Sequence, residues 1–190
     1  MNRKKTIIAA VVLMLVLLVG GLIAYFTDTE DVKNTFTIGK VDITLTEPNW
    51  NENNAKDLMP GTTVAKDPTV TVAADSADAY VFVKVEVPCV GTGTDRRELF
   101  TYTLESGWSP LSEAEKTCAE NAVATHVYAH SDAMSANDTA KLFSTVKLDE
   151  DLTQEEADGL VAEMPINAYA IQKENVAGAT YDVWNTNFNS

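Results

Sequence analysis

The sequence predicts an all-β domain that follows a hydrophobic leader helix. Residues 79–88, AYVFVKVEVP, place Val81, Val83, Val85 and Val87 on one face of a strand and mixed residues on the other. The spacers between this strand and its neighbours are rich in Gly, Pro, Asn and Asp, the residues that favour turns. Many short strands at such spacing are typical of a β-sandwich or a barrel.

Alternation of apolar and polar residues marks the remaining strands. Pro88 is expected to end the strand at residues 79–88, because proline donates no hydrogen bond to a neighbouring strand. A capping box at residues 153–156 predicts a helix that reaches Met164, and a similar stretch at 112–115 predicts a short helical turn. The domain therefore contains one or two short helices. Further strands are predicted at residues 40–47, 69–72, 99–104, 123–130, 142–148 and 166–172.

The leader has the pattern of a secretory signal. Basic residues at 3–5 precede an apolar run at 7–26. We predict a signal peptide at residues 1–24, cleaved between Ala24 and Tyr25, and a single domain at residues 25–190. The run is about 20 residues long and also suits an uncleaved membrane anchor. Both interpretations place the rest of the chain outside the cell.

The charge balance argues against a nucleic-acid partner. The chain has 14 Lys and Arg against 28 Asp and Glu, a net charge of −14. Cleavage after Ala24 removes three basic residues, which leaves 11 against 28 and a net charge of −17. No basic stripe is present in the sequence. Such a surface favours solubility and repulsion between copies.

The chain has two cysteines, Cys89 and Cys118. In an exported protein an even pair predicts a disulfide. Two free, buried thiols are the alternative.

The residues predict no catalytic centre. The two histidines lie in HVYAH, residues 126–130, but Val127 stands where the zinc-protease motif needs glutamate. On a strand, His126 and His130 would be about 13 Å apart, too far to share one zinc ion. The acidic residues 149–151 lack the twelve-residue spacing of a calcium loop. We therefore expect no cofactor, with zinc at the histidines or a calcium ion as the alternatives.

Several segments together resemble the TasA/camelysin family, whose leaders are cleaved by the SipW-type signal peptidase. They are AYFTDTED…NTFTIGKVDITLTE at 24–47, DLMPGTTVAKDPTVTV at 57–72, DAYVFVKVEVP at 78–88, LFSTVKL at 142–148 and INAYAIQ at 166–172. The resemblance covers nearly the whole chain. It implies a jelly-roll β-sandwich, export by a Gram-positive-type bacterium, and a role in extracellular fibres of the biofilm matrix or cell surface.

We therefore expect a secreted structural subunit whose copies associate by strand addition. Residues 25–39 are the predicted exchangeable strand, with Phe26, Val32, Phe36 and Ile38 as its apolar side chains. The expected partners are other copies, the SipW-type peptidase and a matrix anchoring protein. The alternatives are a surface zinc metalloendopeptidase, also implied by the resemblance, and a membrane-anchored accessory protein for another protein's fibres.

Overall fold

The computed structural model describes residues 40–56, 58–119, 121–158, 160, 162–174 and 176–189. The chain divides into two units, Met1–Ile38 and Gly39–Ser190, and the fold below is that of the second. The predicted leader, its predicted cleavage pair Ala24 and Tyr25, and the apolar residues of the predicted exchangeable strand lie outside the described residues. Within the described ranges, no helix combines the length and the apolar character needed to cross a bilayer.

The described part is an antiparallel all-β fold of sandwich type, which confirms the predicted fold class. Its connectivity as a jelly roll stays a prediction. The strands are β1 (Ile43–Thr46), β2 (Thr63–Ala65), β3 (Thr69–Val72), β4 (Ala79–Val90), β5 (Arg97–Glu98), β6 (Phe100–Tyr102), β7 (Trp108–Pro110), β8 (Val123–His130), β9 (Thr139–Lys141), β10 (Thr145–Leu148) and β11 (Ile166–Gln172).

Two three-stranded sheets, β1-β3-β9 and β2-β10-β6, form one layer. They are continuous because β2 runs into β3 through residues 66–68, and β9 runs into β10 through residues 142–144. Two backbone hydrogen bonds carry the ladder across this junction: Lys66 N–H donates to Ser144 O at 3.2 Å, and Leu142 N–H donates to Pro68 O at 2.8 Å. The opposite layer has the order β11-β4-β8-β7, and β5 pairs with the end of β4.

The main core lies between these layers. Val81, Val83, Val85 and Val87 of β4 are all fully buried in it, as their alternation predicts. The opposite face of β4 is also covered, because Phe82 packs beneath the helix α2 (Tyr181–Asn187). This helix was not predicted from the sequence. Its signal is an N-cap threonine followed by aromatic residues at helical spacing, namely Tyr181, Trp184 and Phe188.

The helix predicted from the capping box forms, but it is shorter than expected. Both hydrogen bonds of the box at Thr153 and Glu156 are present, and α1 covers only Gln154–Ala157. The predicted turn at 112–115 is a 3-10 helix, Ser112–Ala114. The expectation that Pro88 ends β4 is wrong. Pro88 pairs with Val123 and accepts a hydrogen bond through its carbonyl from Leu99 N–H, so the ladder continues to Val90.

Candidate functional site

The predicted exchangeable segment joins the described fold at Lys40. The carbonyl of Lys40 accepts a hydrogen bond from Ala77 N–H at 2.9 Å, and its ammonium group lies 2.8 Å from the Asp42 carboxylate. Ala77 immediately precedes Asp78, whose carbonyl accepts from Lys173 N–H at 2.9 Å. The junction therefore lies beside the start of β4 and the end of β11.

Two edge strands lie beside each other on this side of the fold. In the described residues β1 is the first strand of one layer and β11 the first of the other, and each has a paired neighbour on one side only. The seven residues of β11, INAYAIQ, contain no charge and no proline. The edge strand β7 is only three residues long and ends in Pro110. Because charge, proline and shortness are the usual protections of an edge, β11 is the least protected one.

Packing on both faces holds β11 in place. Ala168 and Ala170 pack on the core between the layers, and Tyr169 and Ile171 pack on the aromatic cluster beneath α2. The rings of Tyr169 and Trp184 meet edge to face with centroids 5.0 Å apart. The strand is therefore fixed through its faces, while its outer main-chain groups have no strand partner in the described part of the chain.

A cavity of about 280 Å³ opens near the start of β11. The seven residues of β11 run from Ile166, opposite Val85, to Gln172, opposite Ala79. Because a strand rises about 3.3 Å per residue, its two ends are about 20 Å apart. The cavity and Lys40 lie at opposite ends of this edge. Its lining includes Trp50, Leu58, Val64, Phe100, Val146 and Met164, with the polar residues Lys66 and Glu163.

Lys66, which lines the cavity, and the adjacent Asp67 are buried charges that were not predicted from the sequence. Lys66 is 9% exposed; its ammonium lies 2.8 Å from Glu47 and 4.6 Å from the centroid of the Trp50 ring. Asp67 is 3% exposed and accepts hydrogen bonds from the backbone and side chain of Asn49, at 2.9 and 2.7 Å. Buried charges need such partners. The two residues therefore anchor the loop after β1.

Cys89 and Cys118, the predicted pair, form a disulfide with a Cα–Cα distance of 5.7 Å. Cys89 lies near the end of β4, where its register partner is Glu98 of β5. Cys118 is 5% exposed. The bond joins the segment before β8 to the end of β4.

His126 lies between two carboxylates that come from different segments. Its Nε2 is 3.0 Å from Glu98 Oε1, and its Nδ1 is 3.4 Å from Glu115 Oε1. The imidazole is 15% exposed. The hydrogen bond with Glu98 raises the pKa of His126 above its usual 6.5, although burial opposes that rise.

Two tyrosines complete this cluster. The hydroxyl groups of Tyr102 and Tyr128 are 2.9 Å apart, and Tyr102 packs edge-on against His126 with ring centroids 6.4 Å apart. Burial raises the pKa of both tyrosines, so both hydroxyls stay protonated at neutral pH. The cluster thus combines one imidazole, two carboxylates and two phenols.

His130 occupies a separate place. Its Nδ1 is 2.9 Å from the carbonyl of Asp132, and its ring meets Trp108 edge to face at 5.1 Å between centroids. His126 and His130 lie on β8 as predicted, about 13 Å apart by strand geometry. Direct zinc ligation needs nitrogens about 2 Å from the metal, so the two histidines do not fit one shared zinc ion. No group of three His, Cys, Asp or Glu residues arranged to hold a metal occurs among the described residues.

The acidic turn at residues 149–151 is tied to β5 by Arg97. The Arg97 Nε lies 2.6 Å from the Asp149 carboxylate, and Arg97 Nη1 lies 3.0 Å from Glu156. This guanidinium lowers the pKa of Glu156 to about 2. Asp149, one of the residues considered as calcium ligands, is therefore already paired with the guanidinium of Arg97.

Comparison with known proteins gives one match. A family model described as camelysin metallo-endopeptidase matches residues 2–98, just over half of the chain. The match includes the predicted leader and strands β1 to β5, and both histidines lie outside it. No curated protein and no solved structure matches the chain. The chain belongs to the camelysin metallo-endopeptidase family.

Proposed function

We propose that this protein is a structural subunit of extracellular or cell-surface fibres, whose copies associate by strand addition. The observation that carries the proposal is the long, uncharged outer edge of β11, which has no strand partner in the described part of the chain. An added strand would satisfy the outer N–H and C=O groups of β11 by main-chain hydrogen bonds.

The donor in this proposal is the segment at residues 25–39 of a second copy. It carries Phe26, Val32, Phe36 and Ile38, and it precedes Lys40 directly. Lys40 lies at the Gln172 end of β11, while the cavity near Met164 lies at the other end. The donor, residues 25–39, and the acceptor, the outer edge of β11, are different parts of each copy, so the contact is heterologous. Repetition of such a contact builds a filament when the rotation does not close into a ring.

Cleavage of the leader is the proposed control over assembly. While Ile7–Leu22 remain in a membrane, the donor segment is tethered; cleavage between Ala24 and Tyr25 by a SipW-type peptidase would release it. The released protein would then reach the matrix or the cell surface, where an anchoring protein is the further proposed partner. Its net charge of −17 would keep free copies apart until main-chain pairing overcomes the repulsion.

The metallo-endopeptidase in the family's description is the rival proposal, and the matching family model supports it. Stoichiometric zinc binding together with chelator-sensitive casein cleavage, both lost in His126→Ala, would favour the peptidase. The separate positions of His126 and His130 are the reason for placing the structural role first.

We expect protein that starts at Tyr25 to form filaments and protein that starts at Lys40 to remain monomeric, because the second lacks the donor. Negative-stain electron microscopy and sedimentation measure this directly. Circular dichroism checks that the shorter protein is folded. A synthetic peptide of residues 25–38 should block growth of the longer protein by occupying its β11 edge, whereas a scrambled peptide should not. Equal filaments from both proteins would refute strand donation.

Charge on the accepting edge gives a second test. Asn167→Glu adds a carboxylate to β11 opposite Lys84, and Ser109→Glu adds one to β7; both original residues are exposed. The donor contains Asp28, Glu30 and Asp31, so Asn167→Glu should slow filament growth by repulsion. Ser109→Glu changes the net charge equally and should leave growth near that of the wild type. If the two variants grow alike, β11 is not the accepting edge.

A further inference from the structure

The His126 imidazole joins two segments that are distant in sequence. Glu98 belongs to β5, which pairs with the end of β4, and Glu115 follows the 3-10 helix that precedes Cys118. Each carboxylate faces a different ring nitrogen, at 3.0 and 3.4 Å. A neutral imidazole has one N–H and donates to one carboxylate only, whereas the imidazolium donates to both. Carboxylates facing both nitrogens therefore favour the protonated ring; the contact with Glu98 is a hydrogen bond, and the contact with Glu115 is an ion-pair contact.

We propose that protonated His126 is a pH-dependent latch, which holds β5 and the segment from Glu115 to Cys118 against β8. The proposal is independent of fibre formation. It assigns His126 a conformational role in place of the metal-ligand role that the separation from His130 does not fit. When the ring loses its proton, one of the two carboxylates loses its donor, and the segment carrying it opens more often; the disulfide at Cys118 limits how far the Glu115 segment can move.

The surroundings of His126 support a simple titration. The titratable groups that face it are Glu98 from β5, Glu115 from the segment before β8, Tyr102 from β6 and Tyr128 from β8 itself. Its register partner on β4 is the apolar Val85. The pKa of each tyrosine is raised, so neither tyrosine changes charge in the range where His126 does. No cation competes for the two carboxylates among the ion pairs of the described residues.

The direction of the pH effect follows from linkage. The pKa of His126 is raised above 6.5 in the folded protein and falls back towards 6.5 when a segment that carries one of the two carboxylates moves away from the ring. The latch therefore stabilises the closed position of these segments fully below pH 6.5. This stabilisation is lost as the pH rises through the pKa that His126 has in the folded protein. At a pH above the folded pKa of His126, the equilibrium for opening rises about tenfold for each pKa unit by which the closed state exceeds the open state.

A backbone bridge next to the latch reports its opening. Lys116 N–H donates to Thr125 O at 2.9 Å, and Thr125 N–H donates to Lys116 O at 2.7 Å. These residues are the direct neighbours of Glu115 and His126. When the latch opens, the two amides lose protection from hydrogen exchange.

The test is hydrogen exchange by NMR on protein that starts at Tyr25, kept dilute so that it is monomeric. Rates from pH 5.5 to 9 are converted to protection factors, and the His126 ring is titrated in the same samples. We expect protection at Lys116 and Thr125 to fall with the midpoint of the His126 titration. Amides of Val83 and Val85, in the centre of β4, should not follow it.

Three variants separate the latch from other causes. His126→Gln should abolish the pH step, and Glu115→Gln, at a half-exposed residue, should reduce it without unfolding the core. His130→Gln is the matched control on the same strand and should keep the step. Flat protection across the His126 titration, or an unchanged step in both His126→Gln and Glu115→Gln, would overturn the proposal. Filament growth plays no part in this readout, so failure here leaves the strand-addition proposal standing.

Discussion

Replacing both Cys89 and Cys118 by alanine is expected to lower the free energy of unfolding by about 3–4 kcal/mol. The disulfide joins residues with a sequence separation of 29, so it restricts a long loop of the unfolded chain. Without it the unfolded state gains conformational entropy, while the packing of the folded state changes little. The loss would be a large share of the stability of about 5–15 kcal/mol typical of a domain.

Urea unfolding of monomeric protein, followed by tryptophan fluorescence, measures this effect. The midpoint should fall, and the slope of the transition should rise slightly because the unfolded chain without the cross-link exposes more surface. Wild-type protein in a reducing agent that cleaves the bond is the control and should behave like the double variant. An unchanged midpoint in both samples would contradict the prediction.

Phe143→Ala is expected to destabilise the fold by about 3–5 kcal/mol, the cost typical of removing a buried phenylalanine ring. Phe143 is fully buried between the layers. Its ring stacks on Tyr102 with centroids 4.4 Å apart, and Tyr102 in turn contacts His126. Removing the ring would leave a cavity and would also take away the packing that orients Tyr102.

Thermal and urea unfolding give the stability loss, and near-ultraviolet circular dichroism reports the environment of the tyrosines. Phe143→Leu is the matched variant, because it keeps most of the volume and should cost clearly less. Met59→Ala is the surface control: Met59 is 72% exposed, and such a change is expected within about 0.5 kcal/mol of zero. If Phe143→Ala and Met59→Ala were equally stable, Phe143 would not be a core residue.

Three of the strands were predicted to the residue. The predicted bounds of β3, β8 and β11 agree with the structure, because each strand has an apolar pattern of period two between turn residues. The short strands β2, β5, β7 and β9 were missed. Each has only two or three residues, too few for a periodic pattern to be recognised.

The site was less predictable than the strands. The type of residue at His126 and its strand were evident, but its two carboxylate partners were not. Glu98 is 28 residues away from His126 in sequence, and the alternation of residues around His126 does not indicate which distant residue will lie beside it. Arg97 shows the same limit, since its partner Asp149 is 52 residues away. The burial of Lys66 and Asp67 by the loop after β1 was not predicted either.

The sequence by itself determined the all-β class, the strands with strong alternation, the capping box of α1 and the family. These follow from residues a few positions apart, whose side chains meet through local backbone geometry. Only the tertiary structure decided that β11 has a strand partner on one side only within the described residues, that α2 covers the outer face of β4, and that His126 lies between Glu98 and Glu115. The physical reason is that pairing order and burial depend on which distant segments pack together, and no local period encodes that choice.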